Sequence, residues 1–339
     1  MINPPYIRTD LTSDQYHAAD ATPEPALQSG LAAAMTSLCP RAVWHAHPAL
    51  NPDFRPTDRK IFDLGKAAHA RVLEGDSFQH AIEIILAPDF KTKAAQSARD
   101  DAYAAGKIPM LEPQVAQVED MAAELFDDEI ASLLLAHGLP ERSHFWIDRA
   151  TGIWCKARPD WYVDSRDCTP DLIRACEWTE PQSIIVNYKT HGGSIKPKAF
   201  GKHVADLQYV QRAAWEMDGV HRTTGQIVDQ YVILAQETTP PYLVAAFAVE
   251  RNDLEYGHSF NRVALNEFAR CLARGKEKKF WPGYRTMARP DVSGLIPLDL
   301  PPWARMEMEQ LRIDHTDRAK VRKLAAETSA KIAPYFAPT

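Results

Sequence analysis

The sequence predicts an α/β fold: a central mixed β-sheet flanked by helices, with an N-terminal helical region and a C-terminal helical tail. Three observations carry this. Helix-type periodicity dominates before residue 140, three strand-like segments follow one another between His144 and Lys189, and a helix then precedes two more strands. A negative observation agrees: no glycine-rich phosphate loop of either common type is present, which disfavours a doubly wound nucleotide-binding fold.

The elements follow in order. Leu27 to Leu38 and Pro40 to His47 read as short helices, and Pro48, Pro52 and Pro56 make the next stretch a loop. Ile61 to Leu73 reads as an amphipathic helix, with Ile61, Leu64, Ala68 and Val72 at helical spacing and Gly75 as its C-cap. Residues 91–105 and 113–137 read as two more helices. His144–Ile147, a turn over Asp148–Gly152, and Ile153–Val163 read as a β-hairpin, followed by a polar stretch from Asp164 to Asp171. Ser183–Lys189 reads as a buried central strand and Lys202–Met217 as a helix. Strands over Val228–Ala235 and Leu243–Val249, a helix over Leu254–Arg274, a proline-rich linker at 290–302 and a charged helix over 303–332 complete the chain. The expected division is a helical and loop region over 1–60, a core over 61–289 and a tail over 290–339.

Composition narrows the function. The chain has 339 residues, 45% hydrophobic and 25% charged, with a net charge of −6, which is ordinary globular composition and argues against a generic nucleic-acid binder. Neither a secretory leader nor an apolar run long enough to span a bilayer is evident, so no membrane partner is expected. Five scattered cysteines form no CxxC pair, which disfavours a disulfide framework or zinc ribbon and points to the cytoplasm.

Four features stand out chemically. His69 shares a helix face with Gly65, whose missing side chain leaves room for a ligand at the imidazole. Asp160 follows Arg158-Pro159 in a strand of apolar and aromatic neighbours, where a carboxylate needs a partner such as a cation. Asn187 and Lys189 end the apolar strand on one face, and a lysine there must meet an anion. Gln208, Gln211 and Trp215 share one face of the next helix, which suggests contact with a polar ligand. Lys189, Lys196, Lys198, Lys202 and His203 form a basic run interrupted by Gly192 and Gly193, and Arg274, Lys276, Lys278 and Lys279 form a second cluster.

The joint order of His69, Asp160, Asn187-Tyr188-Lys189 and Gln211-x-x-x-Trp215 resembles the RecB-like branch of the PD-(D/E)xK nuclease superfamily. With LCPRAVWHAHPALNP, LGKAAHARVLEG, ERSHFWIDRATGIWCKARPDW and KKFWPGY, the chain looks most like phage and prophage exodeoxyribonucleases of the exonuclease VIII (RecE C-terminal) type, over roughly residues 12–285. The resemblance implies a restriction-endonuclease-like core and a Mg²⁺-dependent double-strand DNA exonuclease, Mn²⁺ being an alternative metal and two ions the complement of an active form. It implies 5′-to-3′ digestion that leaves 3′ single-stranded tails for a recombination annealing protein, and a ring-shaped homo-oligomer on duplex ends. Asp160 would be the central metal ligand, with His69, the Tyr188 carbonyl and Glu141 as further ligands. Lys189 would orient the attacking water. Gln211 would support the site or touch substrate, and Arg158, Lys196, Lys198, Lys202, Gln208 and Trp215 would bind DNA. End-processing nucleases of the AddB-like kind carry four cysteines for an iron–sulfur cluster; the scattered cysteines here disfavour that branch, so no iron–sulfur cluster is expected, and an AddB-like end-processing nuclease without the cluster is an alternative.

One position departs from the pattern. The family has Asp or Glu where this chain has Asn187, and Mg²⁺ prefers anionic oxygen. Asn187 reads as an engineered inactivation of an otherwise intact site; a naturally degenerate nuclease that serves as a DNA-binding or assembly module is the alternative.

Overall fold

The structure is a computed structural model. It describes residues 4–55 and 63–284 throughout, and 298, 300–310, 312, 320, 322, 323, 326 and 327 beyond them. Two compact units divide the chain, Met1–Tyr284 and Arg285–Thr339. In the second, a helix runs over 302–310; most of the expected linker and tail helix lies outside the described residues.

In the first unit the chain begins with β1 (Tyr6–Arg8), α1 (Ser13–His17), β2 (Ala26–Leu27), α2 (Ser29–Ser37) and α3 (Pro40–Ala46). It continues through α4 (Asp63–Glu74), α5 (Phe78–Ala81), β3 (Ile82–Ile85), α6 (Lys93–Ala104), β4 (Ile108–Leu111), α7 (Glu112–Asp127) and α8 (Glu129–Ala136). Then come β5 (Leu139–Pro140), β6 (Ser143–Ile147), β7 (Trp154–Ala157), β8 (Trp161–Val163), α9 (Pro170–Ala175) and β9 (Ile184–His191). The unit closes with α10 (Pro197–Asp206), α11 (Tyr209–Thr224), β10 (Gln230–Glu237), β11 (Val244–Ala248) and α12 (Arg251–Arg274).

The fold is α/β with a mixed central sheet, ordered β11-β10-β9-β8-β5, in which only β9 and β10 run parallel. Strand β9 is buried on both faces, as its apolar run SIIV requires. Ile184, Val186 and Tyr188 pack toward α4, α7 and α8, while Ile185 packs with Tyr231, Ile233 and residues of α11. A second sheet, β1-β6-β7-β2, takes both N-terminal strands and packs with α2, α3 and α12.

Three expectations need correction. The strand expected over Ile153–Val163 is two strands in different sheets: β7 pairs with β6, and β8 pairs with β9. Pro159 has no N–H to donate to a ladder, so the chain leaves one sheet and joins the other at Arg158-Pro159-Asp160. The helix expected over Lys202–Met217 is likewise two, α10 and α11, because Gln208 adopts a left-handed backbone (φ 55°) between them. The helix expected over 113–137 breaks at Asp128, which caps α8 by accepting from the Ala131 N–H. Strands β1 to β5 and helix α9 were not legible: each strand has only two to four residues, too few for a period. Ile61 lies outside the described residues, and the helix expected from it is described as α4.

Candidate active site

The register places Asp160 against Asn187. Trp161 pairs with Val186, and one antiparallel step further the β8 ladder ends at Asp160. There the carboxylate takes over as ladder acceptor, its Oδ2 accepting the Tyr188 N–H at 3.1 Å. Lys189 Nζ donates to the same Oδ2 at 3.2 Å and to the Tyr188 carbonyl at 3.1 Å. A positive charge thus sits between a carboxylate and a backbone carbonyl at the end of two adjacent strands.

Helix α4 brings His69 to this point. His69 Nε2 lies 3.3 Å from Asp160 Oδ2, and Nδ1 lies 3.7 Å from Glu141 Oε1. The approach of α4 depends on Gly65, since a Cβ there would come within 2.9 Å of Thr190 Oγ1 on β9. The expected use of Gly65, as space for a ligand, is therefore replaced by close helix–strand packing. Glu141 sits on a left-handed backbone (φ 47°), and its N–H donates to the Asp160 carbonyl at 3.1 Å. Such a conformation costs about 1–3 kcal/mol in a non-glycine residue and clusters at functional positions. Its carboxylate accepts from Arg158 Nη2 and faces the His69 nitrogen that Asp160 does not use. This geometry makes Glu141 a partner of His69 rather than a direct companion of Asp160.

On the other face of the sheet a cavity of about 230 Å³ opens beside these groups, lined by Asp160, Asn187 and Lys189 together with Arg158 and Glu141. Helix α11 closes it with Tyr209, Arg212 and Glu216. These three recur at i, i+3 and i+7, so they share one helix face. Asn187 is only 7% exposed, yet its amide makes no hydrogen bond among the described residues. Arg158 Nε and Nη1 and Arg212 Nε are also buried without an acceptor. A cavity with orphaned donors and an unpaired amide is one built around a polar guest.

The charges are coupled. Burial alone would raise the Asp160 carboxyl, but Lys189 and His69 outweigh it and hold it well below the usual carboxylate range. Burial opposes charge on His69 as well, and Asp160 reverses that so its pKa is raised. Burial, reinforced by the Asp160 charge, pushes Glu216 up to about 7, against the hydrogen bond it accepts from Tyr231 Oη at 2.7 Å.

The expected residues divide accordingly. His69, Glu141, Arg158, Asp160, Asn187, Tyr188 and Lys189 come together. Lys196, Lys198 and Lys202 are exposed on the loop and helix that follow β9. Gln208, Gln211 and Trp215 are not on the cavity face. Gln208 Nε2 donates to the Ala205 carbonyl in the α10–α11 turn. Gln211, 1% exposed, donates to the Ala32 carbonyl and accepts from Thr36, tying α11 to α2. Trp215, also 1% exposed, donates to the Lys156 carbonyl and packs on Trp146, so it supports the core and cannot reach DNA. Tyr209, Arg212 and Glu216 were missed. The available signal was their i, i+3, i+7 spacing, which the break at Gln208 obscured.

The family description "PDDEXK-like domain of unknown function (DUF3799)" matches residues 37–285. The chain belongs to this PDDEXK-like family. Among solved structures, a "putative exonuclease" from Eubacterium rectale is similar, at 13% identity and a TM-score of 0.53, over 86% of this chain and 96% of that one. That likeness concerns the fold. A second structure, SSO0001, is 15% identical over 62% of this chain and 88% of that one, with a TM-score of 0.23. No curated protein matches the chain.

Does the PDDEXK-like site suit a divalent cation? Among the described residues no three His, Cys, Asp or Glu side chains already stand as a metal-holding group. The reason is visible: Glu141 faces the other edge of His69, and position 187 carries an amide. The point between Asp160 Oδ2 and the Tyr188 carbonyl is nonetheless one where cationic charge is stable, because Lys189 Nζ occupies it. Asp160, His69, the unpaired Asn187 amide oxygen and the Tyr188 carbonyl form a donor set that fits a hard cation. Among the described residues no helix is long and apolar enough to cross a membrane.

Proposed function

We propose that this PDDEXK-like chain is a metal-dependent nuclease that hydrolyses DNA phosphodiester bonds from duplex ends. The observation that carries it is Lys189 Nζ held between Asp160 and the Tyr188 carbonyl, next to the unpaired Asn187 amide and His69. When bound, Mg²⁺ or Mn²⁺, with two ions in a fully active form, polarises a phosphoryl oxygen and lowers the pKa of bound water. Asp160, His69, Asn187 and the Tyr188 carbonyl would hold it. Lys189 orients the attacking water and offsets phosphate charge. Glu141, held by Arg158, fixes the His69 ring from its far nitrogen.

Lys196, Lys198 and Lys202 lie exposed just beyond the site strand, placed to follow a phosphate backbone without reading sequence. The net charge of −6 then limits adhesion to DNA away from that strip. The resemblance to exonuclease VIII-type enzymes supports the finer reading: 5′-to-3′ digestion in the cytoplasm, a ring-shaped homo-oligomer, and 3′ tails handed to an annealing protein for recombination.

Asn187 weakens this activity. A unit charge lost about 4 Å from a cation is worth ~4 kcal/mol at an effective dielectric of 20, or roughly three orders of magnitude. The test is Mg²⁺-dependent digestion of linear and closed-circular duplex by the wild-type and Asn187→Asp chains. Faster digestion of linear DNA by Asn187→Asp is expected, with circles resistant; no digestion by either chain refutes the reading. Asn187 itself favours a second reading, a DNA-binding module without catalysis, which requires retention of duplex by both chains and cleavage by neither.

A further inference from the structure

We infer that Glu216 supplies the second carboxylate that position 187 lacks, reaching the metal site from α11 instead of from β9. The inference rests on the nuclease reading above and assigns a ligand within it.

Glu216 and Asn187 line one cavity from opposite walls. In the parallel register, Ile233 lies beside Asn187 and Tyr231 beside Ile185, so Tyr231 and Ile233 belong to the sheet face that carries Asn187 and Lys189. The hydroxyl of Tyr231 donates to Glu216 Oε2 at 2.7 Å and anchors the glutamate over that face. Its other oxygen, Oε1, accepts no hydrogen bond among the described residues, although the residue is only 6% exposed. A carboxylate with one oxygen anchored and one open to a polar cavity is prepared to accept a ligand.

The electrostatics agree. Asp160 and Glu216 act on one another as like charges, and both lie in a poorly solvated cavity. Two such carboxylates repel unless a cation lies between them. Lys189 and Arg212 partly answer this, but Lys189 is already engaged by Asp160 and the Tyr188 carbonyl, and neither makes a hydrogen bond to Glu216 among the described residues. Across the cavity the chain carries Asp160 just before β8, an amide at 187 on β9 and Glu216 on α11.

The test is Mn²⁺ binding, read by loss of the free-ion paramagnetic resonance signal, with thermal melts as a check on folding. It compares the wild-type chain with Asp160→Asn, Glu216→Gln and the Asn187→Asp/Glu216→Gln double variant. Glutamine keeps an acceptor for Tyr231, so Glu216→Gln is expected to fold. Expected are binding by wild type, loss in Asp160→Asn, about tenfold or greater weakening in Glu216→Gln, and return to near wild-type affinity in the double variant. If Asp160→Asn binds as wild type does, the metal reading itself fails. If Asp160→Asn loses binding while Glu216→Gln keeps it, or if the double variant shows no recovery, the assignment of Glu216 fails and the nuclease reading stands. Should Glu216→Gln not fold, Glu216→Asp carries the test: the shorter reach is expected to weaken binding severalfold, and unchanged affinity overturns the inference.

Discussion

Trp215 and Glu216 are neighbours on α11 and serve opposite masters. The first face of the helix, with Gln211 and Trp215, is knitted into α2 and the second sheet through the Ala32, Thr36 and Lys156 contacts. The second face, with Tyr209, Arg212 and Glu216, closes the cavity over Asp160 and Asn187. A glycine on the same helix shows how tight the first face is: a Cβ at Gly219 would come within 2.7 Å of Ala157 Cβ. The difference teaches that a glutamine and a tryptophan at helical spacing mark a packing seam, while the polar residues that line the cavity lie a fraction of a turn away.

Breaking each face separately sharpens that contrast. The largest effect is expected from Lys189→Met, which removes the ammonium that Asp160 and the Tyr188 carbonyl hold; single-turnover cleavage should slow by about 10²–10⁴-fold with the fold retained. On the packing face, Trp215→Ala empties a fully buried site and should cost about 3–5 kcal/mol in urea unfolding; a loss below about 1 kcal/mol would remove Trp215 from the core.

Glu216 gives a pH signature on the other face. Its pKa is raised from 4.5 to about 7 in the folded chain, so its contribution to stability is full below the unfolded value and is lost as pH rises through about 7. Without divalent ions, the wild-type chain should lose up to about 3 kcal/mol between pH 5 and pH 8 that Glu216→Gln does not lose. Parallel stability profiles for the two chains would contradict this. The smallest effect is expected from Gln211→Ala, which removes the bonds to the Thr36 hydroxyl and the Ala32 carbonyl, while Thr36 keeps its bond to the Ala33 carbonyl; it should cost about 0.5–1.5 kcal/mol with cleavage unchanged. Loss of cleavage at full stability would instead put Gln211 in the site.

Much of this molecule is legible in its sequence. The strand SIIVNYK announces a buried β9 with polar groups at its end, and Asp160 after a proline announces a strand terminus with a carboxylate to satisfy. His69 could be placed by its helix but not by its partner, since only the fold brings α4 across β9. Register supplied the rest: Asp160 meets Asn187 because β8 and β9 are antiparallel. What stayed hidden depends on contacts distant in sequence or on backbone geometry. Pro159 moves the chain between sheets, the left-handed Gln208 resets the phase of α11, and the backbone hydrogen bond of Glu141 to Asp160 swings its carboxylate to the outer nitrogen of His69. Glu216 carries no motif and is found only by asking what lines the cavity.

The most direct measurement is Mg²⁺-dependent digestion of an end-labelled linear duplex by the Asn187→Asp chain, with and without Asp160→Asn. Progressive loss of the duplex in the first case and none in the second is expected. Equal digestion by both, or digestion by both in the presence of a chelator, would contradict the claim that this cavity is a metal-dependent nuclease site.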